Sequence, residues 1–115
     1  MSTLRIKRIE SLLREEIASV LLKGEVKDPR IDQLLTVTDV SVSKDLGYAK
    51  VYISHYGDTQ RSQTMVEALN HAAGFIQGVL GKRIRLRTMP RLTFLLDDSL
   101  ERGFRISQKI KDLGS

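Results

Sequence analysis

Residues 65–84 read Met65-Val66-Glu67-Ala68-Leu69-Asn70-His71-Ala72-Ala73-Gly74-Phe75-Ile76-Gln77-Gly78-Val79-Leu80-Gly81-Lys82-Arg83-Ile84, and the fold turns on how this stretch is parsed. Met65, Val66, Leu69, Ala72 and Ala73 recur at helical spacing, and Phe75, Ile76, Val79, Leu80 and Ile84 do so again further on. Three glycines interrupt the second pattern, each costing a helix roughly 1 kcal/mol relative to Ala. The stretch therefore reads as two consecutive helices with a kink at Ala72, Ala73 and Gly74. Gly74 is expected to supply a conformation or a close approach that a Cβ would obstruct. Gly78-Val79-Leu80-Gly81 has the form of a Gly-x-x-Gly phosphate loop, but its middle pair is apolar at core spacing. Helix interior is favoured over a backbone clamp.

Working outward, Gly57-Asp58-Thr59 offers N-caps for the first of these helices. Before it, Ala49, Val51 and Ile53 alternate with Tyr48, Lys50, Tyr52 and Ser54, which describes a strand with one buried face. Leu35 and Val37 sit on one parity, Val40 and Val42 on the other, so a bulge near Thr38-Asp39 would keep all four on one face. Ser43-Lys44-Asp45-Leu46-Gly47 supplies the turn of the hairpin. Tyr48, Tyr52 and Tyr56 share a parity and could form a small aromatic platform or simply pack on the sheet surface. Further upstream, Ile6, Ile9, Leu13, Ile17, Val20 and Leu21 fall at steps of three and four, after Ser2 or Thr3 and before Gly24, as in a capped helix. Glu25 to Arg30 is a connecting loop broken by Pro29.

Downstream of the central helices, Pro90 ends the helical pattern and Arg91 to Leu96 reads as a short buried strand. Asp97-Asp98-Ser99 then caps a last helix carrying Leu100, Phe104, Ile106, Ile110 and Leu113. The order is α-β-β-α-kink-α-β with a C-terminal helix packing on a three-stranded sheet, an α+β class. At 115 residues and without repeats or linkers, a single domain spanning 1–115 is expected.

With no Cys there is no disulfide framework, thiolate nucleophile or Cys-based metal site, and the two His leave little for any other. No secretory signal and no membrane-length apolar run is present, so a cytoplasmic protein is expected, with no cofactor. Asp97-Asp98 suits a helix N-terminus better than acid–base chemistry. His55 and His71 read as surface or capping residues in the absence of an evident third partner. An enzyme is not expected.

The charge is uneven. Of 19 Lys+Arg against 14 Asp+Glu, the 29 residues from Ala68 to Leu96 hold Lys82, Arg83, Arg85, Arg87 and Arg91 and no acid at all. The first fourteen residues add Arg5, Lys7, Arg8 and Arg14 against Glu10 alone. Guanidinium groups suit phosphate because the planar fork holds two oxygens, and each neutralised phosphate releases counterions. Arg5, Lys7, Arg8, Lys82, Arg83, Arg85, Arg87 and Arg91 are accordingly the expected RNA-contacting residues. Solvation of helix surfaces is the plain alternative. With aromatic residues at only 5%, base stacking cannot dominate the affinity.

The element order resembles a type II KH domain. Ala72-Ala73-Gly74-Phe75-Ile76-Gln77, Gly81-Lys82-Arg83-Ile84-Arg85-Leu86-Arg87, Pro90-Arg91-Leu92-Thr93-Phe94 and Asp97-Asp98-Ser99 resemble the ribosome-binding factor A family of bacterial small-subunit maturation factors. Arg5-Ile6-Lys7-Arg8-Ile9, Asp28-Pro29-Arg30, Val40-Ser41-Val42-Ser43-Lys44-Asp45 and Ala49-Lys50-Val51-Tyr52 are similar to it too. In that family an Ala-x-Gly stands at the helix junction where other KH domains place a Gly-x-x-Gly loop, and Ala72, Ala73 and Gly74 fit it. The resemblance implies a factor that binds the free, immature small (30S) ribosomal subunit and assists late maturation and processing of 16S rRNA, and a monomer is expected. A protein-interaction module whose basic face meets an acidic protein is the alternative.

Overall fold

The computed structural model describes residues 3–32 and 35–97. Its elements are α1 (Thr3–Leu22), β1 (Leu35–Val42), β2 (Tyr48–His55), α2 (Thr59–His71), α3 (Ala73–Arg83) and β3 (Arg91–Leu96). The sheet order is β1-β2-β3, with β1 antiparallel and β3 parallel to the central β2. The parallel pair requires a crossover, and α2 and α3 together provide it. The C-terminal helix expected from Asp97-Asp98-Ser99 onward lies outside the described residues.

Each element ends for a local reason. Gly24 has φ +68, and its N–H bonds the Leu21 carbonyl while the Glu25 N–H bonds that of Val20. This is a Schellman stop, which a residue with a Cβ fits poorly. Asp58 caps α2, its carboxylate accepting from the Arg61 N–H at 2.7 Å. The hairpin register slips between Val37 and Asp39, and the bulge leaves Val40 and Val42 buried on the same side as Ala49, Val51 and Ile53.

The kink has a different origin from the one expected. Ala72, with φ −88 and ψ 1, is both the C-cap of α2 and the N-cap of α3. Gly74 lies within the first turn of α3 without a positive φ, and a Cβ built on it would meet nothing within 4 Å. No steric demand requires glycine at 74. Gly78 and Gly81 also face open space inside α3, so Gly78-Val79-Leu80-Gly81 is helix, with Leu80 in the core.

The three described helices lie on one face of the sheet. Leu13, Ile17 and Val20 of α1, Met65 and Leu69 of α2, and Ile76 and Leu80 of α3 meet Val51, Ile53 and Phe94 in one buried cluster. Each fully buried Leu, Ile or Phe contributes roughly 1.5–3 kcal/mol relative to exposure, so this layer dominates stability. The outer face of the sheet carries Tyr48, Lys50, Thr93 and Arg91, and no described helix covers it.

Candidate nucleic-acid interface

The chain leaves α3 extended at Ile84, with φ −118 and ψ 134, and bends at Arg87. In an extended segment neighbours point to opposite sides. Ile84 is buried and Leu86 packs on the core, so Arg85 and Arg87 are turned outward. The segment then returns to the sheet, where the Arg91 N–H bonds the Gly47 carbonyl at 2.9 Å and locks the start of β3 to the hairpin turn.

The turn itself is rigid. Asp45 accepts from the Ser43 hydroxyl at 2.7 Å and the Gly47 N–H at 2.9 Å, and Ser43 Oγ accepts from the Tyr48 N–H at 3.0 Å. The bonds from Ser43 and Gly47 hold the Asp45 carboxyl below its ordinary range. Leu46, not the glycine beside it, adopts the left-handed conformation at φ 61, and its side chain is buried. A non-glycine residue stays there because the turn bonds and the burial of the Leu side chain offset the local strain.

These parts enclose a cleft of about 230 Å³ between the first turn of α1, the hairpin turn and the α3–β3 segment. Arg5, Arg85 and Arg87 line it together with Leu46 and Pro90, and no carboxylate does so among the described residues. A guanidinium fork holds two phosphate oxygens at once, so a lining of this composition suits an anion.

The other expected RNA-contacting residues are dispersed. Lys7 lies beside a second cleft, of about 250 Å³, whose walls include Glu10 and Asp39 as well as Arg14. Arg8 is exposed on α1, and Lys82 is exposed in the last turn of α3. Arg83 is paired with Glu25, which ties the end of α3 to the loop after α1. Arg91 is exposed on the outer face of the sheet, in register with Tyr48.

His55 is not the surface residue expected from sequence. Its side chain is fully buried, with Nε2 at 2.9 Å from Asp32 Oδ1 and Nδ1 at 3.0 Å from Ser62 Oγ. The Gly57 N–H also donates to Nδ1 at 3.1 Å, which assigns the ring proton to Nε2 facing Asp32. Asp32, His55 and Ser62 are the residue types of a hydrolytic relay, but the site does not suit one. Ser62 is 6% exposed, within α2, and cannot meet a substrate. The cluster instead staples the α1–β1 loop, the end of β2 and α2 to one another. The described residues hold no group of three or more metal-ligating side chains, and none of their helices is long and apolar enough to cross a membrane.

A sequence model of the family described as Ribosome-binding factor A matches residues 5–110. The chain is 48% identical over 110 residues to a Dictyoglomus thermophilum protein of that name, covering 96% of this chain and 91% of the relative. Its structure is similar to the crystal structure of ribosome-binding factor A from Thermus thermophilus, with a TM-score of 0.68 and 32% identity, over 79% of this chain and 94% of that one. It is also similar to a homology model of the Thermus thermophilus factor fitted into the cryo-EM map of a 30S complex, with a TM-score of 0.63 and 32% identity, covering 76% and 90% of the two chains. The shared α+β architecture is KH-like.

Proposed function

The chain belongs to the ribosome-binding factor A family, and from that premise we propose that it binds the free small ribosomal subunit and assists late maturation and processing of 16S rRNA without catalysing a reaction itself. The observation that carries this reading is the convergence of Arg5, Arg85 and Arg87 on one cleft. Phosphate contacts of this kind position a protein on folded RNA without reading its sequence. Lys7, Arg8, Lys82 and Arg91 are exposed outside the lining of that cleft and add positive charge elsewhere on the surface. Arg83, held by Glu25, contributes less. The Thermus thermophilus relative fitted into a 30S complex supports the choice of partner. The reading treats residues 1–115 as a single domain acting as a cytoplasmic monomer.

Co-sedimentation tests it. The protein is expected with free small subunits and not with assembled ribosomes, and to bind small-subunit RNA fragments in preference to an acidic protein control. Binding to the acidic protein alone would support a protein-interaction module instead.

A further inference from the structure

We propose that Tyr48 and Arg91, on the outer face of the sheet, form a seat for one unpaired RNA base next to the arginine cleft. The proposal rests on the RNA-binding reading above and assigns a distinct task to a distinct face.

Tyr48 is 59% exposed although it opens the central strand of the sheet. Its register partner across the parallel pair is Arg91, and the next row on that face pairs Lys50 with Thr93 and Ser41. A phenol ring thus stands between a guanidinium and an ammonium group with no carboxylate in either row. Asp39, on this face, lies in the row of Tyr52 and Leu95, four positions further along β2 from Tyr48. The Asp45 carboxylate in the neighbouring turn is taken up by Ser43 and Gly47.

The seat is held rigidly. The Tyr48 N–H donates to Ser43 Oγ at 3.0 Å, the Tyr48 carbonyl accepts from the Ser43 N–H at 2.9 Å, and the Arg91 N–H is bonded to Gly47. Two residues of the cleft wall are near in the chain, Pro90 directly before Arg91 and Leu46 two residues before Tyr48. A base laid on the exposed Tyr48 ring would have the Arg91 and Lys50 side chains of the same face to meet its backbone. Every base presents a π-face, so such stacking tolerates sequence. One well-exposed ring at the basic end of the sheet implies one base. A paired base cannot reach the ring without leaving its stack.

The probes are a short hairpin RNA with a single bulged purine and the same hairpin with the bulge deleted. Wild type is expected to prefer the bulged hairpin. Tyr48→Ala is expected to lose about ten-fold in affinity for the bulged RNA, the value of one stacked base, and little for the paired one. Tyr48→Phe keeps the ring and is expected to keep the preference, while unchanged unfolding midpoints show that both variants are folded. Wild-type affinity of Tyr48→Ala for the bulged hairpin, or an equal loss on both RNAs, overturns the proposal. If Tyr48→Ala matches wild type while Arg85→Gln/Arg87→Gln is defective, the base seat fails and the basic cleft stands. If wild type binds neither RNA but binds a polyglutamate probe, both fail.

Discussion

Asn70, in the last turn of α2, grips Phe94 of β3 through two hydrogen bonds. Its Nδ2 donates to the Phe94 carbonyl at 3.0 Å and its Oδ1 accepts from the Phe94 N–H at 2.7 Å. Gln77 of α3 does half as much two residues earlier, its Oε1 accepting from the Leu92 N–H at 3.1 Å. Among the described strands β3 lies at an edge, and an edge is a row of unpaired backbone groups that invites a foreign strand. Two helix-borne amides stand in for the missing neighbour. They also fix the α2–α3 corner against the sheet, on both sides of the break at Ala72.

Asn70→Ala removes both partners of Phe94, whose side chain is fully buried. A cost of roughly 1–3 kcal/mol is expected in urea unfolding, because the stranded backbone groups lose their bonds. Gln77→Ala strands a single N–H and is expected to cost less. Equal stability of Asn70→Ala and wild type would mean that water replaces the amide freely.

Gly57→Ala is expected to disrupt the staple around His55. A Cβ at 57 would come within 2.4 Å of the His55 ring, which is itself held by Asp32 and Ser62. The ring must leave its site or the loop must shift, at a cost on the order of 2 kcal/mol. Thermal unfolding checks this, and in the folded variant the His55 ring resonances should move. Gly78→Ala has the opposite sign. Its Cβ would meet nothing within 4 Å, so the variant is expected to gain about 0.5–1 kcal/mol through helix propensity alone.

The Asp28 carboxyl is held at about 2, below its ordinary 3.8, first by the hydrogen bond from the Arg30 side chain and then by that from the Arg30 N–H. A depressed carboxyl pKa contributes stability that is present above the unfolded value. It is lost as pH falls through the folded value, here between about 3.8 and about 2. The pair is open to solvent, so the effect is small and screened by salt. An NMR titration should place the Asp28 midpoint near 2 in wild type and return it toward 3.8 in Arg30→Gln. A wild-type midpoint near 3.8 would show that the clasp does not form in solution.

Ile53→Ala is expected to cost roughly 2–5 kcal/mol, since Ile53 is fully buried, and Tyr48→Ala far less. The reverse ranking in urea melts would put the sheet inside out.

The parts of this molecule that follow a local period were legible in the sequence. The alternation of Ala49, Val51 and Ile53, and the parity change between Val37 and Val40, describe the buried face and the bulge before any coordinates. The period-two run from Ile84 to Arg87 would also have told Arg85 and Arg87 from Lys82 and Arg83, had it been followed past the helix end. What stayed hidden depends on distant segments. Asp32, His55 and Ser62 share no spacing, and only the packing of a loop, a strand and a helix brings them together. Gly74 drew the kink toward itself because glycine is costly in a helix. The break is made at Ala72, where α2 ends and the chain must turn for Ile76 and Leu80 to reach the same core as Met65 and Leu69.

The salt dependence of RNA binding tests the central claim, that the arginine cleft holds RNA phosphate, most directly. Dissociation constants for a small-subunit RNA fragment, measured over a range of salt for wild type and Arg85→Gln/Arg87→Gln, give the slope of log K against log salt. The double variant is expected to bind many RNAs more weakly alike, with a slope flattened by roughly 0.7–0.9 for each phosphate it no longer neutralises. Lys82→Gln/Arg83→Gln should change the slope less, because Arg83 is already engaged by Glu25. A folded Arg85→Gln/Arg87→Gln protein with wild-type affinity and wild-type slope would contradict a phosphate-binding role for the cleft.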